Sequence, residues 1–194
     1  MDTTEREQML ALLERGPSSL VAVLADITEE EAQRIPQPGR WSILGSVEHI
    51  AISEDYLFSQ ILKAAPVDEP FLRGSREARM LAHGTDRSHP IESPPQGHPH
   101  GAFPLLTEAV SHFLASRERT IDFVRHDASD LYRRVTWHPV LKEANCHEML
   151  ISMGVHVLRH IGQIEETKAA LKRSVPGIDQ LPAEKQAISR PDGD

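Results

Sequence analysis

The sequence contains little cysteine and few aromatic residues. Its 194 residues include one cysteine, two tryptophans and two tyrosines. A single cysteine excludes an internal disulfide framework and a cysteine-rich zinc site. Any metal ion bound by this chain must therefore be held by imidazole or carboxylate groups.

The chain also lacks a long apolar run and an excess of basic residues. No apolar run approaches the ~20 residues that a membrane span needs, and the acidic, amphipathic N-terminus is unlike a secretory signal peptide. A formal net charge of -8 disfavours a partner with a phosphate backbone. We therefore expect a cytoplasmic protein that binds neither a membrane nor nucleic acid.

What the sequence does contain is typical of one globular domain. Hydrophobic residues make up 39% and charged residues 26% of the chain, and the length suits a single core. We predict a helical domain over residues 1–177 and a polar, loosely ordered tail over 178–194. Eleven histidines accompany the one cysteine.

Apolar residues recur at helical spacing in four long segments, and no segment shows a convincing alternating strand pattern. The predicted helices span about 4–24, 42–63, 104–126 and 145–173, with a short helix near 75–82. Pro17 cannot donate a hydrogen bond to the Leu13 carbonyl, so we expect a kink or short break in the first helix. The fold class predicted is all-α: a four-helix bundle with a long crossover between its second and third long helices.

Two histidines lie four residues apart in the last helix. His156 and His160 share one helical face, with roughly 5–6 Å between their Cβ atoms, so both imidazoles can reach one metal ion. This spacing alone is a weak signal, because a half-exposed polar edge of the helix would show it too.

A third histidine strengthens the metal hypothesis. His49 lies within a polar row of the second long helix that includes Tyr56, and the row of the last helix includes Gln163. If the two rows face each other, they line a polar cavity of the kind that holds metal sites in helix bundles. Three histidines would leave coordination positions open, as in catalytic sites. The alternative, that both rows border solvent, stays open.

Three segments resemble the DinB-like, or YfiT-like, family of proposed metalloenzymes. They are PGRWSILGSVEHIAISEDYL, FPLLTEAVSHFLASRERTIDFV and WHPVLKEANCHEMLISMGVHVLRHIGQIEE, and the resemblance covers about residues 9–172. It implies a four-helix bundle that binds a divalent metal through His49, His156 and His160. Family members are commonly homodimers; some transfer low-molecular-weight thiols such as bacillithiol, and others isomerise maleylpyruvate with mycothiol.

The remaining histidines and the cysteine have simpler interpretations. His138 is a candidate proton shuttle, although ordering of its own loop beside Pro139 is the favoured interpretation. Cys146 is expected to be a buried structural residue. Four histidines reflect the composition of the crossover, and three others are expected at the surface or at helix ends: His83, His89, His98 and His100, then His112, His126 and His147.

Two functions of different classes follow. The first is a metal-dependent transferase or hydrolase, working with zinc, nickel or ferrous iron and with a low-molecular-weight thiol as a candidate co-substrate. In this hypothesis Gln163 and Tyr56 support the ligands or orient a small-molecule substrate. The second is a noncatalytic, metal-stabilised dimer that acts as a binding or stress-response protein.

Overall fold

The computed structural model describes residues 1–88, 91 and 93–173. The predicted tail over 178–194 and its boundary at residue 177 lie outside the described residues, as does His89. In chain order the α-helices of the described part are α1 (Thr3–Leu24), α2 (Glu29–Gln33), α3 (Ile43–Leu62), α4 (Arg76–His83), α5 (Leu106–His126) and α6 (Cys146–Arg173). None of these helices has both the length and the apolar character required to cross a bilayer.

The four long helices α1, α3, α5 and α6 form a bundle. Helix α3 packs against α5 and α6, and α1 packs against the same two helices. Apolar faces of all four helices meet in the core, where completely buried side chains include Leu13, Ile50, Phe113 and Leu150. The prediction of an all-α bundle with its long crossover between the second and third long helices is confirmed.

Helix α1 continues through Pro17, so the short break, one of the two expectations for this position, is absent. Pro17 leaves the Leu13 carbonyl without its usual helical donor, and Nη1 of the buried Arg117 donates to that carbonyl over 3.2 Å. The adjacent Gly16 allows α6 to approach closely, because a Cβ there would lie 3.2 Å from Cγ1 of Val157. The guanidinium group of Arg117 on α5 thus supplies the hydrogen bond to the Leu13 carbonyl that Pro17 cannot donate.

A small antiparallel sheet corrects the prediction that the chain has no strands. Its strands are β1 (Ala65–Pro66), β2 (Arg134–His138) and β3 (Lys142–Asn145), arranged in the order β1-β2-β3. The segment 127–144, which lies between the last two predicted helices, therefore contains most of a β-hairpin. These strands are too short and too exposed to carry an alternating apolar pattern, and their backbone pairing holds them together.

Two buried or partly buried carboxylates fix the end of the crossover. The side chain of Glu48 accepts hydrogen bonds from the backbone N–H groups of His100, Gly101 and Ala102 over 2.7–3.2 Å. Glu29 accepts from the first N–H groups of α5, which has no side-chain cap of its own. Glu48 thus holds the segment before α5 against α3, and Glu29 joins the start of α5 to α2.

Candidate metal centre

Helices α3 and α6 bring the three predicted histidines together. The Nε2 atom of His156 lies 2.9 Å from that of His49 and 3.1 Å from that of His160. One candidate ligand atom from each residue lies within 4.8 Å of the other two. The two polar rows therefore face each other across the bundle.

The outer nitrogens of two imidazoles are fixed by hydrogen bonds. Nδ1 of His49 donates to the Gly97 carbonyl over 2.5 Å, and Nδ1 of His160 donates to Oε1 of Gln163 over 2.9 Å. A neutral imidazole that donates from Nδ1 has its lone pair on Nε2. Both rings thus present Nε2 lone pairs to the centre of the cluster, the arrangement usual for metal-ligating histidines.

Burial keeps the three imidazoles neutral. Desolvation lowers the pKa of His49, and it lowers the pKa of His156 well below its ordinary value, with further contributions from His160 and His49. Desolvation, followed by the proximity of His49, lowers the pKa of His160 to about 3. Neutral imidazole is the form that binds a metal ion, so the cluster is ready for one near neutral pH.

The donor set fits a divalent transition metal. Imidazole nitrogens bind zinc at about 2.0–2.1 Å, and neighbouring ligands at that radius lie roughly 3 Å apart, close to the measured Nε2 separations. Three protein ligands also leave positions for water or substrate. Within the described residues, this is the one group of three histidine, cysteine or acidic side chains close enough to share an ion.

The cluster lies in the wall of a cavity of about 620 Å³. Tyr56 and Gln163, both predicted near the site, line the cavity. Trp41 also lines it, with its ring centroid 4.9 Å from that of His49 and its ring stacked 6.4 Å from that of His160. Trp41 thus lies against the rings of His49 and His160 on one side of the cluster.

His138 reaches the cavity, but its contacts match the loop-ordering interpretation. Its Nδ1 accepts from the backbone N–H groups of Val140 and Leu141, each over 3.0 Å, and its Nε2 donates to the Ser152 hydroxyl. Burial, with a smaller effect from Arg76, lowers the pKa of His138 to about 4. Both nitrogens are engaged, so the ring holds the hairpin turn onto α6.

The other histidines differ partly from their predicted roles. His147 is buried, contrary to the surface or capping prediction, and its Nδ1 lies 2.9 Å from a carboxylate oxygen of Glu77. His98, assigned to loop composition, lines the cavity with its ring 6.1 Å from that of Trp41. His147 is buried because α4 packs on α6. The spacing of the histidines along the sequence does not reveal this contact.

Cys146 is buried, as predicted. Burial raises the pKa of its thiol to about 11, so the thiolate is scarce near neutral pH. Any thiol chemistry at the cavity would therefore need an external thiol.

Sequence reasoning missed several polar residues of the cavity. Arg159 follows His156 by three positions and could have been found by extending the polar row of α6. The connecting segments supply three more lining residues, Arg40, Arg87 and Gly97. These segments have no periodic sequence pattern from which their position beside the site could be predicted.

Comparisons with known proteins agree with this architecture. The sequence pattern of the DinB superfamily matches residues 12–164. The chain is 23% identical over 154 residues to the uncharacterized protein YuaE of Bacillus subtilis, with 78% of this chain and 91% of YuaE covered. Its fold is similar to that of YfiT from Bacillus subtilis, described as a probable metal-dependent hydrolase with an unusual four-helix bundle topology. That similarity has a TM-score of 0.57 at 16% identity and covers 89% of this chain and 90% of YfiT. With a match over most of its length, the chain belongs to the DinB superfamily.

Proposed function

We propose that the Nε2 atoms of His49, His156 and His160 bind one divalent metal ion and that the protein is a metal-dependent hydrolase. The observation that carries this proposal is the convergence of three neutral imidazoles, largely withdrawn from solvent, on one point in a cavity wall. The fold similarity to YfiT, itself described as a probable metal-dependent hydrolase, supports the same chemistry. Transfer of a low-molecular-weight thiol is the closely related second candidate.

A divalent metal bound there would lower the pKa of a coordinated water or thiol towards neutrality and so supply a nucleophile. The residues around it would do the positioning. The Gly97 carbonyl and Gln163 hold the imidazole rings of His49 and His160 in place. Trp41 lies against the rings of His49 and His160, and Tyr56 offers a hydroxyl to a substrate in the cavity. A thiol substrate would have to enter from solution, because Cys146 is buried.

Metal analysis of the purified protein tests the site. After reconstitution with zinc, nickel or ferrous iron, we expect one ion per chain in the wild type. We expect loss of that ion in His49→Ala, His156→Ala and His160→Ala. His126→Ala is the matched control, since His126 is exposed at the end of α5. Retention of a full equivalent of metal by all three variants would contradict the proposed ligands.

A screen of the metal-loaded protein separates the functions. Metal-dependent hydrolysis of ester or amide substrates, lost in His156→Ala, is the expected result. Activity only with bacillithiol, mycothiol or glutathione and an electrophile would instead identify a thiol transferase. Stoichiometric metal without either activity would favour the noncatalytic, metal-stabilised binding or stress-response protein.

A further inference from the structure

Ser152 lies in the cavity wall one helical turn before a candidate metal ligand. Ser152 and His156 are four residues apart on α6, so their side chains share one face of the helix. Both residues line the cavity. The Ser152 hydroxyl is not a candidate ligand, so its hydrogen bonds decide what it can contribute to the site.

The hydrogen bonds of His138 fix the position of its ring proton. The backbone N–H groups of Val140 and Leu141 both donate to Nδ1, each over 3.0 Å. A backbone N–H can only donate, so Nδ1 must carry a lone pair. Burial lowers the pKa of His138 to about 4, so the imidazole is neutral near neutral pH. Its one ring proton is therefore on Nε2.

That proton determines the role of the Ser152 hydroxyl. Nε2 of His138 donates to Oγ of Ser152 over 2.9 Å. The serine oxygen acts as an acceptor in this bond, so its own proton is directed away from the imidazole. His138 cannot take up the serine proton, because Nε2 already carries one. Ser152 is thus an oriented hydrogen-bond donor and not a nucleophile activated by histidine.

The described residues contain no acceptor for the Ser152 proton. Other hydroxyl groups on the helices donate to the carbonyl four positions earlier, as Ser46 does to Ser42, and Thr167 does likewise. Within the described part of the chain, Ser152 makes only its contact with His138. Because Ser152 lines the cavity, an acceptor for its proton has to come from a molecule inside the cavity.

Apolar side chains line the cavity near this hydroxyl. The two N–H groups that bind His138 belong to Val140 and Leu141 of the hairpin turn, and both residues line the cavity. Val155, three positions after Ser152 on α6, lines it too. A ligand that fits here combines an apolar group with an oxygen atom that accepts the serine hydrogen bond.

We propose that Ser152 binds the carbonyl oxygen of an acyl substrate, with His138 orienting the hydroxyl and the apolar part of the acyl group lying towards the hairpin turn. This inference rests on the proposed function, because an ester or amide substrate supplies a carbonyl beside the histidine cluster. The hydroxyl orients the substrate, and it stabilises the negative charge that develops on the carbonyl oxygen during hydrolysis.

Matched ligands test the hydrogen bond without requiring turnover. Aryl-alkyl methyl ketones would be compared with the corresponding methyl ethers, in which an ether oxygen replaces the carbonyl group and which, like the ketones, cannot be hydrolysed. Ligand-observed NMR titrations measure the two dissociation constants. We expect the wild type to bind the ketone roughly two- to tenfold more tightly than the ether. Equal binding within the pairs, or no binding by any ketone, overturns the inference.

Serine variants identify the donor. Ser152→Ala should remove most of the ketone preference while the metal content and Tm stay unchanged, and Ser152→Thr, which keeps a hydroxyl, should retain part of it. Ser18→Ala removes an exposed serine of α1 and is the matched control, which should bind both ligands as the wild type does. A ketone preference that Ser152→Ala leaves intact overturns the inference, because another group then binds the carbonyl.

Titrating both the metal-free and the metal-loaded protein separates this inference from the proposed function. His138 orients Ser152 without any contribution from a metal, so the preference should persist in the metal-free protein. A serine-dependent preference in a protein that takes up no metal would support the role of Ser152 and contradict the metal site. Stoichiometric metal with a preference that does not depend on Ser152 would do the reverse.

Discussion

Gly97 lies so close to His49 that any side chain there would meet the imidazole. A Cβ at Gly97 would be 3.1 Å from Cε1 and 3.3 Å from Nδ1 of His49. The absence of a side chain lets the Gly97 carbonyl accept the hydrogen bond that fixes the ring. The orientation of a candidate ligand thus depends on a glycine in the crossover.

We predict that Gly97→Ala weakens metal binding by about tenfold, because displacing an outer partner of a ligand typically costs 10–100-fold in affinity. The measurement is a competition titration of the metal against a chelator. Gly45→Ala is the matched control, because a Cβ there meets its nearest neighbour at 3.4 Å, an ordinary contact. An unchanged affinity in Gly97→Ala would show that the carbonyl contact does not position His49.

His138 makes the metal-free protein sensitive to acid. Its pKa is about 4 in the folded protein against 6.5 when unperturbed. The folded protein favours the neutral imidazole of His138. The contribution of His138 to the free energy of unfolding is therefore fully present above pH 6.5 and is lost as the pH drops towards 4. One pKa unit corresponds to about 1.4 kcal/mol, so His138 accounts for a loss of about 3 kcal/mol over this window.

We predict that His138→Asn flattens this part of the pH profile, because asparagine keeps an acceptor for the turn but does not titrate. The free energy of unfolding would be measured by urea denaturation of metal-free protein at several pH values. Burial is the largest cause of the lowered pKa values of the candidate ligand histidines and is the same in both proteins, so the difference between the two profiles reports mainly His138. If the free energy of unfolding falls equally with pH in wild type and in His138→Asn, His138 is not a source of the acid sensitivity.

At the scale of the elements, the arginine of a buried ion pair joins all four long helices of the bundle. Arg117 of α5 binds Glu54 of α3 through two hydrogen bonds of 2.9 and 2.6 Å, and both side chains are almost inaccessible. Arg117 also donates to the carbonyls of Leu13 in α1 and Met153 in α6. It therefore links the helix that contains Pro17 to the two helices that carry the histidines.

We predict that Arg117→Met lowers the free energy of unfolding by about 3–5 kcal/mol, because it leaves the Glu54 charge buried without a counter-ion, with only the Thr120 hydroxyl donating to it. The double variant Glu54→Met/Arg117→Met should recover part of this loss, since no charge then remains buried. Urea denaturation measures both. Arg119→Met, on the same helix but exposed, should change the stability by less than about 0.5 kcal/mol. A double variant less stable than Arg117→Met would contradict this account.

The crossover between α3 and α5 positions one candidate ligand of the metal centre, although it supplies no ligand itself. Its end is fixed when the Glu48 carboxylate binds three consecutive N–H groups. The preceding turn, Pro95–Gly97, then meets His49, the neighbour of Glu48 on α3. Glu48 of α3 thus holds the loop, and its neighbour His49 presents the imidazole to the cluster.

At the scale of the whole molecule, the candidate metal centre joins two helices that are distant in sequence. A ligand that binds only the folded state stabilises it by about 2.7 kcal/mol when its free concentration is a hundred times Kd. For a domain of this size that corresponds to a rise in Tm of about 5–10 °C.

We therefore predict that zinc, nickel or ferrous iron raises the Tm of metal-free wild type and that chelation reverses the rise. Differential scanning calorimetry measures it. His156→Ala should show no rise, whereas His126→Ala should behave as the wild type does. An equal rise in His156→Ala would mean that the ion binds elsewhere. The homodimer and the cytoplasmic location remain predictions of the sequence and its family resemblance.

The sequence by itself determined the number of long helices and the candidate ligands. The apolar periodicity of α3 and α6 is strong, and His49, His156 and His160 lie on their polar rows. Helical spacing and the family resemblance made them candidates, whereas the packing of α3 on α6 decided that the two rows face each other. The tertiary structure alone decided what surrounds that group. The Gly97 carbonyl, the arginines of the cavity, the β-hairpin and the donor that satisfies Leu13 all depend on contacts between segments far apart in the chain. Such contacts leave no periodic signal, because their partners come together only when the bundle packs.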